Sequence, residues 1–296
     1  MRRPLIALVV VVLVGVGAYV VRIAAGGGDD DAEDGGGGGP ATTSIPAGST
    51  TEVATVRSVA DGDSFTVRLA DGREAEVRMI GINAPELGEC ASIEAGGSLT
   101  ALLGRGPIEL VRDITDRDRF DRLLRYVVAH GVDINVEMVR RGLALAGALE
   151  PDVARQTAID AAQRSARAAG AGLWNPNACG PAASTDLRIV EVEEDPPGRD
   201  GDDLNGEQVA IRNEGTEPVA MTGWQLRDTS SRNRYRFPDG FTLAPGAGVT
   251  VRVGSGQDGS DVLYWGRRSP VWDNDGDIAF LLDPRGNAVS VVDVPT

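Results

Sequence analysis

The pattern of hydrophobic and polar residues differs between four stretches of the chain. Leu5–Val21 is an uninterrupted apolar run, which predicts an N-terminal hydrophobic helix. Residues 26–50 are rich in Gly, Asp, Thr and Pro and show no apolar period, which predicts a flexible linker. Residues 51–178 mix strand and helix patterns, and residues 184–296 contain short strand patterns separated by turn residues. The sequence therefore predicts two folded domains behind an N-terminal segment.

The first domain combines strand and helix patterns. Several short strands followed by helices predict a small curled barrel with helices packed on it. The predicted strands are Val53–Val59, Ser64–Leu69, Glu74–Ile82, Ile108–Val111 and Leu123–Ala129. The predicted helices are Ile93–Leu103, Asn135–Arg141 and a long Ala- and Arg-rich helix that has Pro151 at its first position and ends near Gly170–Gly172.

The second domain contains strand patterns alone. Seven short strands at loose spacing predict an all-β sandwich, in which Trp224 is expected to anchor the core. The predicted strands are Leu187–Val192, Glu207–Arg212, Val219–Leu226, Tyr235–Phe237, Val249–Val253, Ile278–Leu282 and Ala288–Val292.

Arginines flank the N-terminal apolar run on both sides. Arg2 and Arg3 precede it and Arg22 follows it directly. Basic residues before such a run stay in the cytoplasm, so both folded domains are expected outside. Residues 1–25 are expected to be an uncleaved signal anchor that holds the protein to the membrane; a cleaved signal peptide is the alternative.

The charge balance excludes general attraction to polyanions. The formal net charge is −15, and residues 184–296 carry 11 Arg against 20 acidic residues. A protein that coats nucleic acid without specificity carries the opposite charge. Any nucleic-acid chemistry must therefore come from a local site.

Four motifs follow one another in the first domain. They are Asp61-Gly62-Asp63-Ser64, the run Arg78-Met79-Ile80-Gly81-Ile82-Asn83-Ala84-Pro85-Glu86, the stretch Asp118-Arg119-Phe120-Asp121-Arg122-Leu123-Leu124 and the segment Val132–Arg141 followed by Gly142. Each alone is an ordinary turn, strand or loop. Their order and spacing resemble the staphylococcal nuclease family, down to Gly172-Leu173-Trp174 at the end of the last helix. The resemblance implies an α+β fold, an OB-fold-type five-stranded barrel with helices, and cleavage of DNA and RNA as substrates.

The resemblance also implies a calcium cofactor. Asp63, the side-chain oxygen of Asn83 and the carbonyl of Ala84 would hold Ca²⁺, which prefers oxygen ligands. The family usually has Asp where this chain has Asn83, so one negative charge is lost and calcium is expected to bind more weakly.

Three charged residues would carry the chemistry by the same resemblance. Glu86 would orient or deprotonate the attacking water. Arg78 and Arg122 would clamp the phosphate, because a guanidinium matches its oxygens. Phe120 replaces a Tyr of the family. Asp121 replaces a Gly and lies beside Arg122, so it would either pair with Arg122 or repel the substrate.

The histidine and the two cysteines remain. His130 lies before Gly131 at a predicted hairpin turn, and a plain turn residue is the expectation. Cys90 and Cys179 are far apart and neither belongs to a CxxC pair, so a zinc knuckle is excluded. In an exported protein they are expected to form a disulfide; two buried thiols are the alternative.

The second domain resembles the lamin tail domain, an immunoglobulin-like sandwich. The resemblance lies in Asn205-Gly206-Glu207, Ile211-Arg212-Asn213, Gly223–Asp228, Leu243–Gly246 and Asn274-Asp275-Gly276-Asp277. The last of these is expected to be a turn, because the full ligand spacing of a calcium loop is missing. No catalytic constellation is visible, and the domain is expected to bind or position a ligand that the sequence does not identify.

Three functions compete. The first is an exported calcium-dependent nuclease. The second is a binding module that keeps the nuclease fold without useful activity, which Asn83, Asp121 and the acidic balance favour and which Arg78, Glu86 and Arg122 oppose. In the third, the lamin-tail half is the working part, as an adhesion or wall-association module.

Overall fold

The computed structural model describes residues 50–194, 196–197, 201–230, 232–274 and 276–294. The predicted apolar helix Leu5–Val21 and the linker up to residue 49 lie outside these residues. No helix within the described ranges has the length and apolar content needed to span a bilayer.

The first domain is a closed five-stranded barrel with helices. The strands are β1 Thr51–Val59, β2 Ser64–Leu69, β3 Glu74–Met79, β4 Ile82–Asn83, β5 Pro107–Val111, β6 Leu123–Ala129, β7 Val132–Asp133 and β8 Leu145–Ala146. The sheet runs β3-β2-β1-β5-β6, and a parallel pairing of β3 with β6 closes it. Strand β7 pairs antiparallel with β6, and β4 pairs with β8. The helices are α1 Ser92–Leu103, α2 Ile134–Arg140 and α3 Gln156–Ala169, with a 3-10 turn at Gly172–Trp174.

Alternating apolar residues fill the barrel. Phe65, Val67 and Leu69 of β2 are buried, because successive strand residues point to opposite faces. Helix α2 is tied to this core by the buried Asn135. Its side-chain oxygen accepts from Val127 N–H at 2.9 Å, and its amide donates to the carbonyl of Ile80 at 2.8 Å.

Two predicted boundaries in this domain are wrong. The strand predicted to reach Ile82 ends at Met79, because Gly81 has a positive φ of 75° and turns the chain before β4. The long helix begins at Gln156 and not at Pro151. The intervening segment is held away from helix by Asp152, whose buried carboxylate accepts from the backbone N–H groups of Ile114 and Thr115.

The second domain consists of two four-stranded sheets that share one core. The strands are β9 Leu187–Glu193, β10 Gln208–Asn213, β11 Val219–Ala220, β12 Gln225–Arg227, β13 Arg234–Arg236, β14 Thr242–Leu243, β15 Gly248–Arg252, β16 Val262–Tyr264, β17 Asp277–Leu282 and β18 Ala288–Val294. The sheet orders are β16-β15-β10-β9 and β13-β12-β17-β18, and β11 pairs with β14. Trp224 is 2% exposed and lies in the shared core, as predicted.

One strand prediction in this domain is wrong and two strands were missed. Val219–Leu226 is not one strand, because Gly223 has a φ of 84° and turns the chain between β11 and β12, which belong to different sheets. The short strands β14 and β16 were not predicted. Two or three residues are too few to show an alternating pattern.

The two domains belong to one compact unit and share an apolar cluster. Leu145 of the barrel is buried with Phe280 and Leu282 of β17. The Trp174 ring lies 5.7 Å from the Phe280 ring. The predicted disulfide between Cys90 and Cys179 is confirmed; their Cα atoms are 5.6 Å apart.

Candidate active site

The turn between β1 and β2 places two carboxylates beside β4. Asp61 Oδ1 accepts from the backbone N–H of Asp63 at 3.0 Å. Asp63 is 6% exposed; its Oδ1 accepts from the Ser64 hydroxyl at 2.8 Å and its Oδ2 from Ala84 N–H at 2.8 Å. Burial raises the pKa of the Asp63 carboxyl above its ordinary value, and the guanidinium of Arg78 opposes that rise.

Arg78 lies between the two side chains predicted to bind calcium. Its Nη2 donates to Asn83 Oδ1 at 2.7 Å and lies 3.3 Å from Asp63 Oδ2. Its Nη1 donates to the carbonyl of Met79. The oxygens of Asp63 and Asn83 therefore converge on one cationic nitrogen, which is the arrangement that a small site for a cation requires.

Arg122, the second arginine predicted to bind phosphate, is held by Asp118 and not by the neighbouring Asp121. Arg122 donates from Nε to Asp118 Oδ2 at 2.8 Å, and its Nη2 lies 2.8 Å from the same oxygen. Asp121 has a φ of 68°, is exposed and pairs with Arg117 at 3.2 Å. Of the two possibilities for Asp121, pairing with Arg122 is therefore wrong, because the left-handed turn carries Asp121 away from it. The ring of Phe120 lies 5.6 Å from the Arg122 guanidinium carbon.

Glu86 is exposed in the turn after β4. Its backbone N–H donates to Glu89 Oε2 at 3.1 Å. Among the described residues its carboxylate has no hydrogen bond or ion pair, so it is available to a water molecule.

One cavity of about 310 Å³ unites these groups. The predicted Asp63, Arg78, Asn83, Glu86 and Arg122 all line it, together with Asp61 and Asp118, which were not predicted as site residues. Ala84 is not part of the lining, and its N–H is directed at Asp63. The cavity therefore gathers the two guanidiniums predicted to bind phosphate, a solvent-facing carboxylate and a pair of convergent oxygens.

The donor atoms of this site are oxygens, the type that calcium prefers, but few of them are charged. Within the described ranges, no group of three or more His, Cys, Asp or Glu side chains is arranged to hold a metal. Asp63 and Asn83 offer one carboxylate and one amide oxygen, both of which already contact a cation. Calcium takes six to eight oxygen ligands, so water would have to supply most of them.

The second domain also reaches this cavity, which the sequence did not predict. Ser230 and Arg232, in the loop between β12 and β13, line it. The Asn83 amide donates to the carbonyl of Thr229 at 3.5 Å. These residues lie about 150 positions from Asn83 along the chain, and a polar turn carries no sequence signal of what it faces.

Two other candidate groups have structural roles. His130 lies in the turn between β6 and β7, as predicted, and does not line the cavity. Asp277 accepts from the hydroxyl of Thr229 at 2.8 Å and from its backbone N–H at 3.2 Å. This carboxylate therefore fixes the loop beside the cavity. Asp275 lies outside the described residues.

Family comparisons match both domains. Residues 76–176 match the family described as staphylococcal nuclease homologue, and residues 180–296 match the lamin tail domain. The first match begins within β3, whereas the barrel itself begins at Thr51.

Named relatives match this chain over 122 to 129 residues. An "uncharacterized endonuclease" of Haemophilus influenzae is 30% identical over 122 residues, which cover 41% of this chain and 66% of that protein. The thermonuclease of Staphylococcus hyicus is 29% identical over 123 residues, covering 40% of this chain and 72% of that protein. The thermonuclease of Staphylococcus intermedius is 29% identical over 129 residues, covering 40% and 74%.

Proposed function

Because this chain consists of a staphylococcal nuclease domain followed by a lamin tail domain, we propose that it is an exported, calcium-dependent nuclease that hydrolyses phosphodiester bonds of DNA and RNA. The observation that carries the proposal is the single cavity that unites Arg78, Glu86 and Arg122 with the oxygens of Asp63 and Asn83. Hydrolysis of a phosphodiester needs an activated water and cations on the phosphoryl oxygens, and this cavity offers groups for both.

The two arginines bind the scissile phosphate. Asp118 holds the guanidinium of Arg122 through two nitrogens, and Asp63 and Asn83 hold that of Arg78. A guanidinium that is already oriented loses little freedom when it receives a phosphate. Glu86 accepts the proton of the attacking water, since its carboxylate faces solvent in the same cavity.

Asp63, Asn83 and the carbonyl of Ala84 would hold the calcium ion. A bound divalent cation supplies Lewis-acid stabilisation of charge on the phosphoryl oxygens. Arg78 contacts the same two side-chain oxygens, so the ion and this guanidinium compete for them. The competition and the single carboxylate both lower the calcium affinity relative to a site with two acids.

The inactive binding module is the weaker alternative. One of the observations in its favour was Asp121 beside Arg122, and the structure pairs Asp121 with Arg117 instead. The acidic net charge does not exclude catalysis, because Arg78, Arg122 and Arg232 line the cavity, and two of its four carboxylates, Asp63 and Asp118, are paired with arginines.

Digestion of single-stranded DNA by the purified full chain tests the proposal. Cleavage is expected with calcium and not with chelator. Glu86→Gln should lower turnover at least 10²-fold, because the group that accepts the proton is lost. The matched control is Glu94→Gln, which removes another exposed carboxylate, in α1, and should leave turnover unchanged. Full activity of Glu86→Gln would refute the mechanism and put the binding module ahead.

The extracytoplasmic location belongs to the same proposal. It is supported by the apolar run Leu5–Val21 behind Arg2 and Arg3 and by the disulfide between Cys90 and Cys179. An N-terminus that begins near Met1 in the membrane fraction would indicate an anchor, and one near Gly26 in the medium a cleaved signal. Recovery of the native protein from cytoplasm with both thiols reduced would contradict export.

A further inference from the structure

A second cavity lies between the domains and is lined by four arginines. It has a volume of about 210 Å³ and lies between the loop that follows β4 and the hairpin of β12 and β13. Its arginines are Arg227, Arg234, Arg236 and Arg285. They belong to a domain with an excess of acidic residues, so their concentration at one place is not a consequence of composition.

The hairpin register brings three of these arginines together. Leu226 and Tyr235 point into the core of the second domain, so their neighbours in β12 and β13 point out of it, toward the barrel. Arg227 lies directly opposite Arg234 in the pairing, and Arg236 follows two residues later on the same face. Like charges at directly opposite positions destabilise a sheet. Stability alone therefore does not account for this pair.

The positive charge of the cavity is only partly balanced. Arg234 pairs with Glu89 at 2.6 Å, and its Nε is buried without a hydrogen-bond acceptor among the described residues. Arg227 donates to backbone carbonyls and not to a carboxylate. Arg236 is exposed and forms no side-chain hydrogen bond or ion pair in the described part of the chain.

Burial and the neighbouring Arg234 lower the pKa of Arg227 to about 10, which leaves it charged at neutral pH. The lining thus carries four cations and one paired carboxylate. An anion bound here would relieve the repulsion between the arginines.

The floor of the cavity is apolar. Leu145 and Leu173 of the barrel domain lie there with Phe280 and Leu282 of β17. The Arg227 guanidinium carbon is 5.9 Å from the centre of the Phe280 ring. A ligand that matches this cavity has an anionic group for the arginines and a flat apolar part for the floor. A nucleotide has both, because its phosphate binds guanidiniums and its base stacks on apolar and guanidinium surfaces.

The cavity adjoins the candidate active site. The loop after β4 separates the two, with Glu86 lining the active site and Pro85, Gly88 and Glu89 lining the arginine cavity. The β12–β13 hairpin likewise contributes to both, since Arg232 at its tip lines the active site. A nucleic-acid strand whose phosphate lies between Arg78 and Arg122 would continue past this loop to the arginine cavity.

We propose that the arginine cavity binds a nucleotide of a single strand next to the scissile phosphodiester, so that the lamin tail domain positions the substrate. This inference rests on the proposed nuclease function. Single strands fit better than duplexes, because only an unpaired base exposes its faces to the apolar floor.

Binding of fluorescein-labelled octathymidylate to the full chain tests the inference. Fluorescence anisotropy is measured with chelator present, so that no cleavage occurs. The variant is Arg236→Gln/Arg285→Gln; neither arginine pairs with a carboxylate among the described residues. The matched control is Arg188→Gln/Arg212→Gln, which removes two exposed arginines from the other sheet.

The cavity variant should raise the Kd about tenfold relative to the control. Its slope of log affinity against log salt should be smaller by about 0.7, because the loss of one phosphate contact in a single strand lowers the slope by about 0.7. An unchanged Kd and slope would overturn the inference. Equal affinity for an octamer duplex, or equally strong competition by base-free polyphosphate, would overturn the assignment to a nucleotide.

The outcome is separable from that of the nuclease proposal. A chain that binds the octamer through these arginines and cleaves no DNA would refute the proposed activity and leave the inference standing. If the chain cleaves DNA and both substitutions leave its affinity for the octamer unchanged, the inference is refuted and the proposed activity stands.

Discussion

Asn83→Asp is the substitution that most directly tests the proposed metal site. Asn83 Oδ1 already accepts from Arg78 at 2.7 Å, so an oxygen in the same place is retained and one negative charge is added. The amide donor to the carbonyl of Thr229 is lost, but at 3.5 Å this is a weak hydrogen bond. Its loss should cost less than about 1 kcal/mol of stability.

The size of the effect follows from the competition between two cations. The new carboxylate attracts both Arg78 and calcium, but the divalent ion gains twice as much as the guanidinium. The difference equals the attraction of one pair of unit charges, which at about 4 Å is about 1 kcal/mol in water and about 4 kcal/mol at an effective dielectric constant of 20. Since the cavity is open to solvent, the lower part of this range applies. We expect about a tenfold fall in the calcium concentration for half-maximal cleavage, which corresponds to about 1.4 kcal/mol.

The assay is initial-rate cleavage of single-stranded DNA over a calcium titration, with calorimetric calcium binding to the Glu86→Gln background as a second readout. Asn177→Asp serves as the control, because it adds the same charge in an exposed turn and keeps the oxygen that accepts from Ala182. A calcium requirement that stays the same or rises, in a variant whose thermal unfolding is unchanged, would show that Asn83 is not a calcium ligand.

Three further predictions concern the clamp, the disulfide and pH. Arg78→Ala and Arg122→Ala should each lower kcat/KM at least 10²-fold in the same cleavage assay, and a tenfold or smaller loss would exclude a role at the transition state. Replacing Cys90 and Cys179 by Ser should lower the free energy of unfolding in urea by about 4.6 kcal/mol, because the bridge closes a loop with a sequence separation of 89; a loss below about 1 kcal/mol would contradict this. Burial raises the pKa of Asp228 from 3.8 to about 6, so the folded chain keeps a proton that the unfolded chain has released. The contribution of this carboxyl to the free energy of unfolding should then fall by up to about 3 kcal/mol as pH rises from about 4 to about 6. In urea unfolding, the wild type should therefore lose more stability, or gain less, over this pH range than Asp228→Asn.

The sequence predicted most of the barrel and five of the side chains that line the candidate active-site cavity. Strands such as Ser64–Leu69 alternate cleanly because one face packs in the barrel, and the helix predicted at Ile93–Leu103 differs from the observed one by a single residue. The side chains of Asp63 and Glu86 could be placed together because the order of motifs matched a known family. The structure brings them into one cavity.

The contacts between motifs could not be predicted. Nothing in the sequence distinguishes Asp118 from Asp121 as the partner of Arg122, since the choice depends on a left-handed backbone at Asp121. The start of α3 was misplaced because Asp152 binds backbone groups nearly 40 residues away. Long-range hydrogen bonds of this kind override local propensity.

Nor does the sequence indicate that the second domain contributes residues to the candidate active-site cavity. The sequence indicates that Arg227 and Arg234 are ordinary exposed strand residues, because each lies next to a buried residue in an alternating strand pattern. Their common cavity exists only because the barrel covers that face of the sheet.

The apolar cluster between the domains bears on how such a protein can evolve. Leu145, Leu173 and Trp174 come from the nuclease half, and Phe280 and Leu282 come from the tail half. If recombination exchanged the tail for an unrelated sandwich, the nuclease half would present these side chains to water and risk aggregation. Selection should therefore keep the two domains together. A tail domain from another gene would function here only after compensating substitutions on both sides of the apolar cluster.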